Sequence, residues 1–237
     1  MRTQAVITLA RYAGHTGRGV RIGVVDSGIH AAHPHVAGVS DGISIDDEGR
    51  TSSGIEDRLG HGTAVAAAIR EKAPEAALIP IKVFDRTLST TAAALAAAIR
   101  WAAGQGVALI NLSLGTSVQD HRAVLESAVE DAGDHGAIVV SAAPHGGTTW
   151  LPGALDSVVG VVPDWESARD IYQVRTGAGR ALVIRASGWP RPVPGIPTNR
   201  NFRGPSFAVA NATGFIALAI EGQAARSVPE LAKLLLM

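Results

Sequence analysis

Short apolar runs alternate with alanine-rich stretches along most of the chain. Residues 20–25 form an apolar run that ends at Asp26-Ser27-Gly28, turn residues, and they predict a strand. Residues 77–83, 107–112, 137–142 and 157–162 predict further strands of the same kind. Between them, 63–70, 90–103 and 119–131 carry apolar positions at helical spacing. The second of these is rich in alanine and leucine, which favour helix, and stops at Gly104; the third stops at Gly133. Strand and helix in alternation predict an α/β fold, a parallel sheet with helices on both faces.

After residue 162 the pattern loosens. Residues 164–180 mix charge with glycine and predict surface hairpins. Residues 181–185 predict a strand, and 188–204 a loop rich in proline, asparagine and arginine. A long apolar helix follows over 206–220, and a short one over 229–236. No internal repeat, low-complexity tract or linker interrupts the 237 residues, so one domain is expected.

Composition narrows the function classes. Lys and Arg number 21 and Asp and Glu 21, a formal charge of zero, which argues against nucleic acid or an anionic membrane as partner. The absence of cysteine excludes disulfides, thiolate metal sites and a cysteine nucleophile. No window approaches the ~18 uninterrupted apolar residues of a membrane helix. The apolar run after Met1-Arg2 is too short and polar for a secretory signal, so a cytoplasmic location is expected.

Open parallel sheets place functional groups at the carboxyl ends of their strands. Asp26 closes the first strong strand, His61 lies between Gly60 and Gly62 at a helix entry, and Ser206 follows Gly204-Pro205 at the start of the late helix. A serine hydroxyl is too weakly acidic to attack alone. A histidine must take its proton, and a carboxylate must fix the histidine tautomer. Taken singly, Asp26 is an ordinary turn residue, His61 a surface or core histidine and Ser206 an N-terminal helix residue. Their chain order, Asp then His then Ser, differs from the Ser, Asp/Glu, His order of α/β-hydrolases. Neither a dinucleotide fingerprint nor a P-loop follows the first strand, which argues against nucleotide binding.

With these residues in view, the chain resembles the catalytic domain of the subtilisin-like (subtilase) serine proteases. The resemblance runs from His15-Thr16-Gly17 to the C-terminus. Val24-Val25-Asp26-Ser27-Gly28-Ile29, followed by His33-Pro34, resembles the aspartate motif. Gly60-His61-Gly62-Thr63-Ala64-Val65-Ala66 resembles the histidine motif, and Gly204-Pro205-Ser206-Phe207-Ala208 the serine motif. Asn111-Leu112-Ser113-Leu114-Gly115 resembles the substrate-binding strand. The resemblance implies a subtilisin-like three-layer α/β/α sandwich with a mainly parallel central sheet. It implies a serine endopeptidase with Asp26, His61 and Ser206 as catalytic triad, working through an acyl-enzyme on a peptide or protein substrate without a cofactor. Specific precursor peptides are one expected substrate class.

Several positions depart from the family pattern. The second oxyanion donor is usually an asparagine, and here His145 takes its place in Ala142-Ala143-Pro144-His145-Gly146. Removal of one such donor lowers kcat by about 10²–10³. A neutral imidazole donates one hydrogen bond, so His145 is the expected substitute donor, against the alternative of a loop histidine facing solvent. Ala210-Asn211 replaces a Pro-His pair, a change of packing. The calcium-binding loop after the histidine helix is missing, because Arg70-Glu71-Lys72 leads directly to Ala73-Pro74; no metal is expected there. No propeptide domain is expected within the chain, so folding help from a trans-acting propeptide or partner protein is one expectation.

For substrate binding, Ser113, Leu114 and Gly115 are expected to offer a strand edge, with 86–90 as a shortened strand opposite. Ala142, Ala143 and Pro144 are expected to wall the first specificity pocket. Trp150 is placed at its base, where it would favour small residues before the cleaved bond; the competing reading is a core filler. His30, His33 and His35 are expected on a solvated loop rather than on a metal. Arg185, Arg191, Arg200 and Arg203 would form a rim near Ser206, attracting acidic substrates or standing solvated. Two rival functions remain open: a pseudoprotease that binds peptides without cleaving them, and a ligase or cyclase using the same nucleophile.

Overall fold

Side chains along each central strand point alternately to two faces, and both faces are buried. Ile22 and Val24 enter one hydrophobic core while their neighbour Val25 enters a second; Leu78 and Ile79 divide in the same way. A computed structural model describes residues 3–177, 180–197, 200–223 and 225–237. Its strands are β1 (Thr3–Thr8), β2 (Arg21–Asp26), β3 (Ile43–Ile45), β4 (Thr51–Ser52), β5 (Ala77–Lys82), β6 (Leu109–Leu112), β7 (Ile138–Ala142), β8 (Val159–Asp164), β9 (Ile171–Gly177) and β10 (Arg180–Ser187). The helices are α1 (His61–Lys72), α2 (Ala92–Gly104), α3 (Arg122–Asp134), α4 (Pro205–Ile220) and α5 (Val228–Leu236).

One sheet holds all ten strands in the order β1-β9-β10-β8-β7-β6-β2-β5-β3-β4. From β10 to β3 every pairing is parallel. The pairs β1–β9, β9–β10 and β3–β4, toward the two edges, are antiparallel. Val65 and Ile69 of α1, Phe207 and Phe215 of α4 and Leu231 of α5 fill one core. Leu95 and Ile99 of α2 and Leu125 and Val129 of α3 fill the other. The architecture is thus the expected three-layer α/β/α sandwich around a mainly parallel sheet.

The expected helices and central strands lie within a few residues of their observed positions. Residues 119–121 form a 3-10 turn that leads into α3. Thr91 starts α2, its hydroxyl oxygen accepting from the Ala94 N–H at 3.1 Å.

The outer strands differ from expectation. β1 was not foreseen, because an edge strand is covered on one side only: Ile7 is buried while Val6 is exposed. The stretch expected as surface hairpins, 164–180, instead supplies β9, which joins the main sheet between β1 and β10. Positions 178–179 of that stretch, and 198–199 of the expected 188–204 loop, lie outside the described residues. The short β3 and β4 also went unread. Among the described residues no helix is long and apolar enough to cross a membrane.

Candidate active site

Asp26 ends β2 and is fully buried; His61 is the first residue of α1. Their side chains meet with His61 Nδ1 2.7 Å from Asp26 Oδ1. Glycine makes this approach possible. A Cβ at Gly62 would stand 2.2 Å from the Gly28 carbonyl oxygen and 3.1 Å from Asp26 Cβ. Gly28 itself has φ +96°, a left-handed conformation that glycine adopts without strain. Asp26 Oδ1 also accepts from the Ser27 N–H at 2.7 Å, while Oδ2 is buried without a partner.

A second carboxylate organises the same corner. Asp57 Oδ1 accepts from the Ser27 hydroxyl at 2.8 Å and from the N–H groups of Leu59 and Gly60 at 3.0 and 2.9 Å. Its Oδ2 accepts from the Thr63 N–H at 2.8 Å and hydroxyl at 2.6 Å. Gly60 cannot cap α1 with a side chain, so Asp57 takes the Thr63 N–H of the first turn and Ser27 Oγ takes the Gly62 N–H at 2.9 Å. Burial opposes its ionisation, but bonds from Thr63, Ser27 and Leu59 outweigh this and hold Asp57 below the ordinary carboxylate range. Burial likewise opposes protonation of His61. The hydrogen bond and charge of Asp26, with the charge of Asp57 added, prevail and raise the His61 pKa above its ordinary value.

Ser206 occupies the first turn of α4 behind Pro205, where backbone N–H groups have no intrahelical acceptor. Its hydroxyl donates to the Ser113 carbonyl at 2.9 Å rather than to His61. Ser113 Oγ in turn lies 3.2 Å from the Ser206 carbonyl. Buried Asn111 supports this exchange: its Nδ2 donates to Ser113 Oγ at 2.8 Å and its Oδ1 accepts from Thr213 Oγ1 at 3.0 Å. The end of β6 is thereby fastened to the start of α4. Asn211, at the altered Ala-Asn pair, donates to the carbonyls of Ser187 and Trp189 at 2.9 and 3.0 Å and anchors the end of β10.

His61 and Ser206 open into one cavity of about 400 Å³, which Ser113, Leu114, Gly115, Ala142, His145 and Trp150 also line. His145 sits on a tight hairpin, exchanging backbone bonds of 3.1 Å with Thr148 across Gly146 and Gly147. Its ring stacks on Trp150 at 6.2 Å, and its Nδ1 lies 2.7 Å from the Ala143 carbonyl oxygen. Ala143 itself is not in the cavity; its side chain is buried in the protein. Residues 86–90 make no strand, although Leu88, Ser89 and Thr90 line the cavity opposite Leu114.

The four arginines do not form one rim. Arg185 pairs with Asp164 at 3.4 Å, Arg203 lies over the Trp189 ring at 5.9 Å, and Arg191 and Arg200 line a separate cavity with His30, His33 and His35. Among the described residues no group of three or more His, Asp or Glu side chains is gathered to hold a metal ion. Gly38-Val39-Ser40-Asp41-Gly42 has the spelling of a hydrolase nucleophile elbow, but it is a loop with no helix behind it. Sequence reasoning missed Asp57, Ser27 and Phe202. Only Asp57 carried a local signal, an aspartate just ahead of a predicted helix start.

The fold and this site place the chain among α/β proteins in which an aspartate at the carboxyl end of a parallel strand meets a histidine, with a serine in the same cavity. The chain belongs to the subtilase family, whose sequence model matches residues 17–237. It is 35% identical to thermitase of Thermoactinomyces vulgaris over 145 residues, 56% of this chain and 50% of that protein. It is 31% identical to alkaline elastase YaB of Bacillus sp. (strain YaB) over 230 residues, 92% of this chain and 58% of that protein. The chain thus spans about half the length of these curated relatives. Among solved structures, sphericase superposes with a TM-score of 0.72 at 25% identity, covering 92% of this chain and 82% of its own.

Proposed function

We propose that this chain is a serine endopeptidase with Ser206 as nucleophile, His61 as general base and then acid, and Asp26 as the group that orients the imidazole. The observation that carries this reading is the buried 2.7 Å contact of His61 Nδ1 with Asp26 in a cavity shared with Ser206. It fixes the tautomer with Nδ1 protonated, so Nε2 is free to take the serine proton. The reaction requires Ser206 Oγ to leave the Ser113 carbonyl and turn to His61 as substrate binds; such contacts commonly tighten only in the Michaelis complex. Attack on the scissile carbonyl forms the acyl-enzyme and releases the amine with a proton from His61; water then releases the acid. The Ser206 N–H supports the oxyanion, joined by His145. Peptides that lie along Ser113-Leu114-Gly115 are the substrates, and specific precursor peptides are the finer reading.

A second reading, peptide binding without cleavage, draws on the serine hydroxyl turned toward Ser113 and the replaced oxyanion asparagine. Intact mass after incubation with a fluorophosphonate, for the wild type and Ser206→Ala, separates the two. An adduct on the wild type alone is the expected result. A folded wild type that takes no adduct would leave the peptide-binding reading standing.

A further inference from the structure

A second cavity, of about 500 Å³, adjoins His61 and shares no lining residue with the first. It begins at Gly60 and Phe202, and Phe202 packs edge-on against the His61 ring at 6.4 Å. The protease reading lays the acyl half of a substrate along Ser113-Leu114-Gly115 in the first cavity, which leaves the second for the half that departs. Two guanidiniums outnumber its one carboxylate, that of Asp57. Arg191 and Arg200 line it, and among the described residues neither is paired with a carboxylate. The nearby acids are engaged elsewhere: Glu71 with Lys72 and Arg169, and Asp164 with Arg185.

Asp57 also borders this cavity, but its two oxygens accept five bonds from Ser27, Leu59, Gly60 and Thr63. It has little capacity left for a ligand cation. Arg191 is held in place by the His35 carbonyl, 3.3 Å from its Nη1. Val193 and Ile196 give the cavity an apolar wall suited to the methylenes of a side chain. A guanidinium without an ion partner, beside an apolar wall, selects a carboxylate on a short aliphatic stem.

We propose that this cavity is a subsite for a carboxylate in the leaving half of the substrate, within the first three residues after the scissile bond. The carboxylate belongs to an acidic side chain or to the peptide's own C-terminus. This rests on the protease reading and adds a substrate class to it.

The test compares peptides of fixed acyl half, Ala-Ala-Pro-Leu, followed by three residues in which glutamate, glutamine or lysine is placed at each position in turn, all amidated. A glutamine series with a free C-terminus distinguishes the two sources of carboxylate. Rates are referred to the p-nitroanilide of the same acyl half, which has nothing beyond the bond. At one position glutamate, or the free C-terminus, is expected to exceed glutamine in kcat/KM about five-fold at low salt, and less at 0.5 M salt. In Arg191→Gln/Arg200→Gln the ratio falls to about one. Equal wild-type rates for acid and amide, or a preference that survives in the double variant, overturn the subsite. A protein that labels with fluorophosphonate yet shows no acid preference loses the subsite and keeps the protease reading. If labelling fails, binding of the same fluorescein-tagged peptides decides: tighter binding of the acid, lost in the double variant, supports the subsite, and equal binding overturns it.

Discussion

The carbonyl oxygen of Ala143 holds Nδ1 of His145 at 2.7 Å, and a carbonyl can only accept. The neutral ring therefore carries its one hydrogen on Nδ1, and Nε2 presents a lone pair. As an oxyanion donor through Nε2, His145 works only as the imidazolium. This refines the expectation that the neutral ring would substitute for the asparagine amide.

Two variants check this. His145→Ala is expected to lower kcat by about 10–100-fold, less than the ~10²–10³ of a full donor. His145→Asn supplies a neutral donor and should keep kcat at or above the wild-type level. Equal kcat for wild type and His145→Ala would remove His145 from the oxyanion site.

Asp57 adds negative charge beside His61. The raised His61 pKa means that the free base appears only above the ordinary imidazole range, so kcat/KM should rise late with pH. Asp57→Asn removes that charge and is expected to move the acid limb to lower pH. It also sets an amide N–H₂ against N–H donors at the start of α1, at a stability loss of about 1–3 kcal/mol. Titration of kcat/KM and a denaturant melt read the two effects separately; an unmoved limb would confine Asp57 to capping.

Gly62 is the spacing device of the site. Gly62→Ala drives a Cβ toward the Gly28 carbonyl, and α1 must retreat from Asp26. Loss of the oriented imidazole is expected to lower kcat by about 10³-fold or more. Gly133→Ala, in α3 with open space at its Cβ, should leave activity intact and add roughly 0.5–1 kcal/mol of stability. Activity retained in Gly62→Ala would contradict the steric account.

Lys72 is buried where α1 meets α4, its Nζ 2.6 Å from Glu71 and 5.6 Å from the centre of the Phe215 ring. Burial, then repulsion from Arg169, push its pKa down to about 8, against the attraction of Glu71. Between pH 8 and the ordinary value of 10.5 the unfolded chain binds the extra proton, so this group's contribution to stability rises with pH across that window. Lys72→Met keeps the Glu71–Arg169 pair and is expected to stabilise the protein at pH 7 by about 1–3 kcal/mol. That advantage should narrow toward pH 10. Chemical denaturation at pH 7 and pH 10 measures both; an advantage independent of pH would assign the effect to packing alone.

Asp26, His61 and Ser206 were readable because each follows a local signal: the end of an apolar run, a pair of glycines at a helix entry, a Gly-Pro step before a long helix. The alternation of central strands with α1 to α4 was readable for the same reason. β1 and β9 were not, since an edge pairing between residues about 170 apart leaves only a half-apolar pattern in each strand. Ala143 was placed on the pocket wall by its neighbours in sequence; the chain turns its side chain inward and uses its carbonyl instead.

Local propensity and side-chain period act over a few residues, and they determined the element types, their order and the chemistry available at the strand ends. Tertiary structure alone decided three further things: the tautomer of His145, the rotamer that turns Ser206 to Ser113, and the cavity where residues 30–35, 57–67, 190–197 and 200–202 converge. Each depends on groups that meet only when sheet register and loop packing bring distant segments together, or when a turn fixes which atom faces which. Periodicity along a chain carries no record of such meetings.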